Sequence, residues 1–440
     1  MQCGRTDNAY DRVFKTAQLP VFPKAGATVK RSSHMSKQYE MAKEIYAELG
    51  VDTEAALEKA ASVPVSVHCW QIDDLSGFEA PKRGLSGGIA AMGNAPGKPR
   101  DPQEYMENLD KALALIPGKN KLALHAIYLD NKGSFVDRDA ITPAHFSGWV
   151  DYAKMHHIGL DFNPTYFSHD KAADNFTLAS ADEGIRSFWI EHGKRCRKIG
   201  EYFGRELGQT CVTNHWIPDG YKDYTVDKLA PRQRLMQSLD EILAEPIDRA
   251  YNVDSLESKL FGLGLESYTV GSHEFYSNYC MSRKNSIVCM DMGHFHPTEV
   301  VSAKLSSYIA FGSEVMLHIS RPVRWDSDHV VTLDDEVKEL LYEINRCNAF
   351  DLVHIGSDYF DASIDRVAAT VIGARSIKKA LLNALLEPTS QLKAAEARGD
   401  FTYRLAQTEE NKLLPLGAVW EEFCQRSNMP GRNWLSELKK

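Results

Sequence analysis

The sequence SIVCMDMGHFHPTEV (residues 286–300), followed closely by EVMLHISRPVRWDSDHV (residues 314–330), is the stretch that predicts the fold. Two apolar runs within it, Ser286–Met290 and Val315–Leu317, have the length and β-branched content of buried strands. Each run leads into carboxylate and imidazole side chains, namely Asp291, His294, His318, Asp326 and Asp328. Oxygen ligands with a minority of imidazole suit Mn²⁺, Mg²⁺ or Co²⁺ better than a zinc site built from thiolates. The alternative interpretation is that these residues are solvated loop side chains or hydrogen-bonded core histidines.

The composition is that of a large, acidic globular protein. The chain has 440 residues, 43% of them hydrophobic, which permits one large α/β barrel or two to three smaller domains. A net charge of −9 argues against a nucleic-acid partner. We expect no membrane association, because the sequence contains no run of about 18 apolar residues and no secretion signal. Eight scattered cysteines without a CxxC pair predict reduced thiols in a cytoplasmic protein.

The first 34 residues are expected to lie outside the folded domain. They show neither helical nor strand periodicity, and RSSHM at 31–35 resembles a cloning junction before a second start codon. We interpret residues 1–34 as an expression leader or disordered extension; the alternative is a natural extension that packs on a partner subunit. The domain is expected to span residues 35–440.

Eight apolar, strand-like runs alternate with helical segments along the chain. They are Pro64–Trp70, Lys121–Leu129, Gly159–Phe167, Thr210–Ile217, Arg249–Leu256, Ser286–Met290, Val315–Leu317 and Asp351–Gly356. Alternation of this kind favours a parallel sheet, and eight repeats predict a (β/α)₈ TIM barrel. From about residue 364 to 413 the pattern is mostly helical, which predicts additional C-terminal helices.

Polar residues collect where the predicted strands end, which is the catalytic face of such barrels. The metal-ligand types among them are Glu257, Asp291, His294, His318, Asp326, Asp328 and Asp358. Seven such side chains exceed the needs of one divalent ion and suit two ions that share a carboxylate. Residue types alone therefore predict two-metal chemistry on an oxygen-rich small molecule, with hydrolysis and isomerisation both open.

Three further residues at this face have a functional and a structural interpretation. Trp70 and Trp216 could offer apolar faces to a sugar, or could be ordinary core residues. Lys259 points to the same side of a strand as Glu257 and could bind a substrate oxygen or stabilise an oxyanion. It could equally be a surface lysine or the ion-pair partner of Glu257. The Gly-rich segment 73–100 lacks a phosphate-binding motif and is too long for a plain connection.

Several long motifs resemble the L-rhamnose isomerase family from about Met35 to near the C-terminus. They include PVSVHCWQIDD, GGIAAMGNAPGK, GLDFNPTYFSHD, NHWIPDGYKD, ESKLFGLGLESYTVGSHEF, MGHFHPTEV, HISRPVRWDSDHV and HIGSDYFDASIDR. The resemblance implies a metal-dependent aldose–ketose isomerase that interconverts L-rhamnose and L-rhamnulose. It also implies a barrel similar to that of xylose isomerase and a homotetramer, in which the loop near Phe78 reaches towards a neighbour's site.

The resemblance also assigns roles by position in these motifs. One metal would be bound by Glu257, Asp291, His318 and Asp358. A second, Mn²⁺-preferring metal would be bound by Asp291, His294, Asp326 and Asp328, with Co²⁺, Mg²⁺ or Zn²⁺ possible at one site. The substrate pocket would contain Trp70, His125, Trp216 and Lys259. Asp358, Glu257 and Lys259 would take part in catalysis.

Two chemical routes and two other classes of protein stay open. In one route the O2 proton leaves near Asp358 while a hydride moves from C2 to C1 of the open-chain sugar. In the other, Glu257 or Asp358 acts as the base of a proton shuttle through an enediol. A metal-dependent epimerase or endonuclease-like hydrolase of the same barrel type is an alternative function. A non-catalytic sugar-binding protein is another, although it would not need seven metal-type ligands.

Overall fold

The computed structural model describes residues 36–79, 82–91, 93–130, 132–262 and 264–439. The predicted leader, residues 1–34, lies outside these ranges. From Lys37 onward the chain forms one compact unit. No helix in the described ranges is long and apolar enough to cross a membrane.

Eight parallel strands close into a barrel, which confirms the predicted fold class. The strands in chain order are β1 (Val65–His68), β2 (Asn120–His125), β3 (Gly159–Asn163), β4 (Cys211–Trp216), β5 (Gly220–Tyr221), β6 (Asn252–Glu257), β7 (Tyr268–Thr269), β8 (Ile287–Asp291), β9 (Val315–Ile319) and β10 (Val353–Ser357). Around the barrel the order is β1-β2-β3-β4-β6-β8-β9-β10, and β10 pairs with β1. The short strands β5 and β7 form a separate antiparallel ribbon that the sequence analysis did not predict.

Helices follow the barrel strands and continue past the last of them. They are α1 (Lys37–Glu48), α2 (Thr53–Ser62), α3 (Trp70–Asp73), α4 (Pro102–Leu113), α5 (Ser147–His156), α6 (Glu183–Leu207), α7 (Leu229–Ile242), α8 (His273–Arg283), α9 (Ser302–Ile309), α10 (Asp335–Arg346), α11 (Arg366–Leu385), α12 (Thr389–Ala397), α13 (Phe401–Asn411) and α14 (Leu416–Arg426). The last four confirm the predicted C-terminal helices. Asp52 caps α2 by accepting from the backbone N–H groups of Glu54 and Ala55.

The barrel strands are buried along nearly their whole length, because helices cover one side and the barrel interior the other. This double burial is why they appear in the sequence as continuous apolar runs. Three predicted strands continue two residues or more past the observed carboxyl end, whereas β6 begins three residues later than predicted and β9 continues two residues past Leu317. The first strand stops at His68, because Trp70 begins α3. The second stops at His125, where a 3₁₀ turn starts. The third stops at Asn163, since Pro164 has no N–H to donate.

Glu314 joins two barrel strands at their amino ends. Its carboxylate accepts a hydrogen bond from Nε2 of His354 at 3.0 Å and lies 2.9 Å from Nη2 of Arg249. The bond from His354, supported by Arg249, lowers the pKa of Glu314 to about 2, against the opposing effect of burial. The stability that this shift provides is therefore present above about pH 4.5 and is lost as the pH falls from there towards 2.

We expect the Glu314→Gln variant to be about 1–2 kcal/mol less stable than the wild type at pH 7, after allowance for solvent screening of this partly exposed group. The difference should shrink steadily below pH 4.5, because the unfolded wild type binds a proton at this carboxyl group below that pH, whereas the folded protein does so only near pH 2. Urea unfolding of both proteins between pH 7 and pH 3 measures it. A difference that stays constant over this range would show that Glu314 acts through packing instead of charge.

Candidate functional site

Four metal-ligand side chains meet where adjacent barrel strands end. Glu257 and Asp291 are the last residues of β6 and β8, His318 lies one residue before the end of β9, and Asp358 directly follows β10. Each offers one ligand atom, and these atoms all lie within 4.8 Å of one another. The register explains the meeting, because Asp291 pairs directly with His318 across β8 and β9.

His318 lies at the centre of this group, which we call the four-ligand cluster. Its Nδ1 is 3.3 Å from Oε2 of Glu257 and 3.2 Å from Oδ2 of Asp358. The distance from Nδ1 to Oδ2 of Asp291 is 3.8 Å. All four residues are buried, so three carboxylates and one imidazole share a small volume from which bulk water is excluded.

A second set of charged residues adjoins the cluster. Nδ1 of His294 is 3.2 Å from Oε1 of Glu257, and its Nε2 is 3.4 Å from Oδ2 of Asp326. The Asp326 carboxylate also forms a 2.6 Å ion pair with Nζ of Lys259. Lys259 is buried and pairs with Asp326, so neither structural alternative for it, a surface lysine or a partner of Glu257, is correct.

The predicted second ligand set is not brought together as closely as the first. Among the described residues, the set Asp291, His294, Asp326 and Asp328 does not form a group within the 4.8 Å that unites the four-ligand cluster. Asp328 nevertheless lies in the field of its acidic neighbours. Burial, followed by repulsion from Asp326, Asp358 and Asp291, raises its pKa well above the ordinary value. The second metal set stays a prediction.

Two carboxyl groups of the four-ligand cluster have very different pKa values. Burial raises the pKa of Asp291 to about 7, although attraction to His294 opposes the rise. Burial also acts to raise the pKa of Glu257, but attraction to His318 and His294 overcomes it and leaves that pKa well below the ordinary value. A bound divalent cation would offset both the burial of the Asp291 charge and its repulsion from Glu257 and Asp358, and so would favour the ionised form.

Several buried ligand atoms lack a hydrogen-bond partner within the described ranges. They are Oδ2 of Asp291, Nδ1 of His294, Nδ1 of His318, Oδ1 of Asp326 and Oδ1 of Asp358. Buried polar atoms without partners are rare, and a group of them in one place indicates a missing ligand. Hard oxygen atoms with two imidazoles are the donors that Mn²⁺, Co²⁺ or Mg²⁺ accept. The residues present therefore fit a cation.

Gly293 leaves space between the carboxylates of Asp291 and Asp326, because it has no side chain. A Cβ atom at this position would lie 2.8 Å from Oδ1 of Asp326 and 3.2 Å from Oδ1 of Asp291. The backbone N–H of Gly293 donates to Oδ1 of Asp291 at 2.6 Å and fixes that carboxylate. Any larger residue would intrude on the volume that these two carboxylates border.

Aromatic rings form one wall of the site. The ring of Trp70 lies 4.4 Å from that of His125 and 6.3 Å from that of Trp216, measured between centroids. Trp216 stacks on His294 at 6.4 Å, and Nζ of Lys259 lies 4.9 Å from the Trp216 ring. Both indole nitrogens and Nε2 of His125 are buried without a hydrogen-bond partner in the described part of the chain. Both tryptophans also pack in the hydrophobic core, so their role in substrate binding stays a prediction.

A cleft of about 540 Å³ borders Lys259, Asp326 and Asp328. Its lining includes Gly88, Ile89, Lys259, Asp326, Asp328 and Phe360. The cleft therefore brings part of the long Gly-rich segment to the rim of the site, together with the acids.

Comparison with known proteins places this geometry in a family. A family model for L-rhamnose isomerase (RhaA) matches residues 33–440. The chain belongs to the L-rhamnose isomerase family. An L-rhamnose isomerase from Mannheimia succiniciproducens is 58% identical over 92% of this chain and 97% of its own length. One from Citrobacter koseri is 55% identical over 93% of this chain and 97% of its own. A solved structure of an L-ribulose 3-epimerase is 13% identical, with a TM-score of 0.44 over 73% of this chain and 95% of that one.

Membership in the L-rhamnose isomerase family confirms the resemblance noted in the sequence and the expectation of an isomerase enzyme. The roles given to individual residues stay predictions. Sequence reasoning also missed residues that the structure places at the site. Nε2 of His68 is 3.7 Å from Oδ1 of Asp358, and Nδ2 of Asn214 donates to Oε2 of Glu257 at 2.5 Å. His68 and Asn214 each lie within three residues of the carboxyl end of a predicted strand, and this position could have identified them as site residues.

Proposed function

We propose that this member of the L-rhamnose isomerase family interconverts L-rhamnose and L-rhamnulose with the help of two divalent cations. The observation that carries the proposal is the four-ligand cluster next to an aromatic wall that suits a sugar. Three buried ligand atoms of this cluster, on Asp291, His318 and Asp358, have no hydrogen-bond partner within the described residues. Relatives that are 55–58% identical over nearly their whole length carry the name L-rhamnose isomerase.

The chain offers ligands for both cations. The four-ligand cluster of Glu257, Asp291, His318 and Asp358 would hold one. Asp291, His294, Asp326 and Asp328 would hold the other, for which we propose Mn²⁺, with Co²⁺, Mg²⁺ or Zn²⁺ possible at one of the two sites. When bound, divalent cations supply Lewis acidity that polarises the substrate oxygens.

The protein's own residues position the sugar and move its proton. Trp70 and Trp216 cover its apolar C–H face and exclude water, which favours direct transfer of a hydride from C2 to C1. Asp358 receives the O2 proton as the C2–O2 bond becomes a carbonyl. The hydride that reaches C1 leaves O1 as an alkoxide, and the same proton passes from Asp358 to O1 to complete the ketose. Lys259 faces the developing charge on O1 with its ammonium group, which Asp326 holds in place. Glu257 accepts a hydrogen bond from Asn214, which holds its carboxylate in place, and it contributes a negative charge to the four-ligand cluster.

Removal of metal should abolish the activity, and Mn²⁺ should restore it. We expect EDTA-treated protein to form no rhamnulose from L-rhamnose, because the buried carboxylates would then repel one another and bind protons. Added Mn²⁺ should return the rate to that of untreated protein, read as ketose formed. A chain that binds L-rhamnose equally well with and without EDTA and forms no product would be a sugar-binding protein instead. Cleavage or epimerisation of a different sugar would support the hydrolase or epimerase alternative.

The route is tested by isotope exchange. A hydride shift should leave the hydrogen at C1 of rhamnulose derived from the substrate, so turnover in D₂O should incorporate almost no deuterium at C1. Mass spectrometry or proton NMR of the product measures this. Substantial incorporation would contradict the hydride shift and favour an enediol with Glu257 or Asp358 as base.

We also propose a cellular compartment, an oligomeric state and a role for residues 1–34. The seven cysteines in the described residues are all free thiols, which suits a reducing cytoplasm. We propose a homotetramer, to be tested by light scattering. We also propose that residues 1–34 are an expression leader or disordered extension, whose removal leaves the rate unchanged.

A further inference from the structure

Thr165 has a backbone conformation that β-branched residues avoid. Its φ is +62°, in the left-handed region, and its side chain is fully buried. Two hydrogen bonds hold it there. Its N–H donates to Oδ1 of Asn163 at 2.9 Å, and its carbonyl accepts from Nη1 of Arg138. Strain of this kind persists where the surrounding structure fixes it, often next to a functional group.

The Thr165 hydroxyl reaches the imidazole of His125. Its Oγ1 is 3.0 Å from Nδ1 of His125, whereas its other acceptor, the carbonyl of Asn163, is at 3.5 Å, the outer limit of a hydrogen bond. The hydroxyl proton therefore goes to Nδ1. Burial keeps the pKa of His125 well below its ordinary value, so the ring is neutral and has a single proton. With Nδ1 accepting, that proton is on Nε2.

Nε2 of His125 is buried and has no hydrogen-bond partner among the residues that the structure describes. The ring lies 4.4 Å from that of Trp70 and 5.1 Å from that of His68, whose Nε2 is next to Asp358. A buried N–H donor without an acceptor, at the aromatic wall, fits an oxygen atom of the bound sugar. We infer that Thr165 is a positioning residue, which fixes His125 as an Nε2–H donor to a substrate oxygen and so prevents it from acting as a base.

The tautomer is measured without substrate. Protein labelled with ¹⁵N-histidine should show His125 with an unprotonated Nδ1 and a protonated Nε2, assigned by the loss of its signals in the His125→Gln variant. A proton on Nδ1 would overturn the inference. This measurement does not depend on the sugar, which the inference takes from the proposed function. Failure to isomerise L-rhamnose would therefore count against that function and leave the tautomer result intact.

The Thr165→Val variant tests the consequence for binding. Valine keeps the β-branch, and with it the backbone strain, but removes the hydroxyl. We expect KM to rise about tenfold with little change in kcat, because a hydrogen bond present in ground and transition states alike contributes uniform binding. Thr165→Ser, which keeps the hydroxyl, should restore KM to near the wild-type value. An unchanged KM in the valine variant would overturn the inference, and if that variant does not fold, the wild-type tautomer decides.

Discussion

The Asp291→Asn variant should isomerise L-rhamnose at least about 10³-fold more slowly than the wild type while the barrel stays folded. Asp291 ends β8 in direct register with His318. Its Oδ2 faces the four-ligand cluster and has no hydrogen-bond partner within the described residues. In the proposed function it is the ligand shared by both cations. Asparagine keeps the shape and the bond from Gly293 but removes the charge that would bind them.

The fold of this variant should survive, for an electrostatic reason. Burial raises the pKa of Asp291 to about 7, so its charge is unfavourable in the metal-free protein. We therefore expect the variant's Tm in EDTA to equal or exceed that of the wild type. Metal content by mass spectrometry and kcat/KM complete the measurement. Asp351→Asn, at the exposed amino end of β10, is the control and should keep full activity. A loss of less than tenfold for Asp291→Asn would contradict its place as shared ligand.

The Arg138→Met variant should lose about 3–5 kcal/mol of stability. Arg138 is fully buried and donates to both oxygens of Glu79, at 2.9 and 3.0 Å. It also donates to the carbonyls of Thr165, Phe167 and Ser168. Removal of the guanidinium leaves the buried Glu79 carboxylate with the more distant Arg83, at 3.5 Å, and leaves three carbonyl groups without this donor. Part of their desolvation cost is then no longer offset.

Urea unfolding measures this loss. Arg195→Met is the matched control, because Arg195 forms a half-exposed pair with Glu191 on α6 and should contribute less than about 1 kcal/mol. A second substitution, Glu79→Met in the Arg138→Met background, should recover part of the stability by removing a buried charge that has lost its closest partner. Equal losses for Arg138→Met and Arg195→Met would contradict the assignment. We also expect the Arg138→Met variant to have a higher KM, since the segment bearing Thr165 depends on the same donor.

The barrel was predictable because its strands are buried on both sides and so appear as uninterrupted apolar runs. The presence of Glu257, Asp291, His318 and Asp358 at one face followed from the same pattern, since parallel strands bring their carboxyl ends together. Their selection as one ligand set came from the family resemblance. The ribbon of Gly220–Tyr221 and Tyr268–Thr269 was not predicted, because strands of two residues are too short to show periodicity.

Contacts made by loops were the other part that the sequence did not indicate. Lys259 pairs with Asp326, which is 67 residues away in the chain and lies beyond β9. The partner of a buried lysine depends on how the loops fold over the barrel end, and no local pattern specifies that. The bond between Thr165 and His125 links β2 to the segment after β3 in the same way.

Closure of the barrel has a consequence for the nascent chain. The backbone N–H of His68, at the end of β1, donates to Oγ of Ser357, at the end of β10, across 289 residues. At about 5–20 residues per second, a ribosome needs roughly 15–60 s to deliver that partner. During this interval the outer edge of β1 has no neighbouring strand and is open to aggregation or to chaperones. Asp358 emerges directly after Ser357, so the four-ligand cluster is completed by the same late event that closes the sheet.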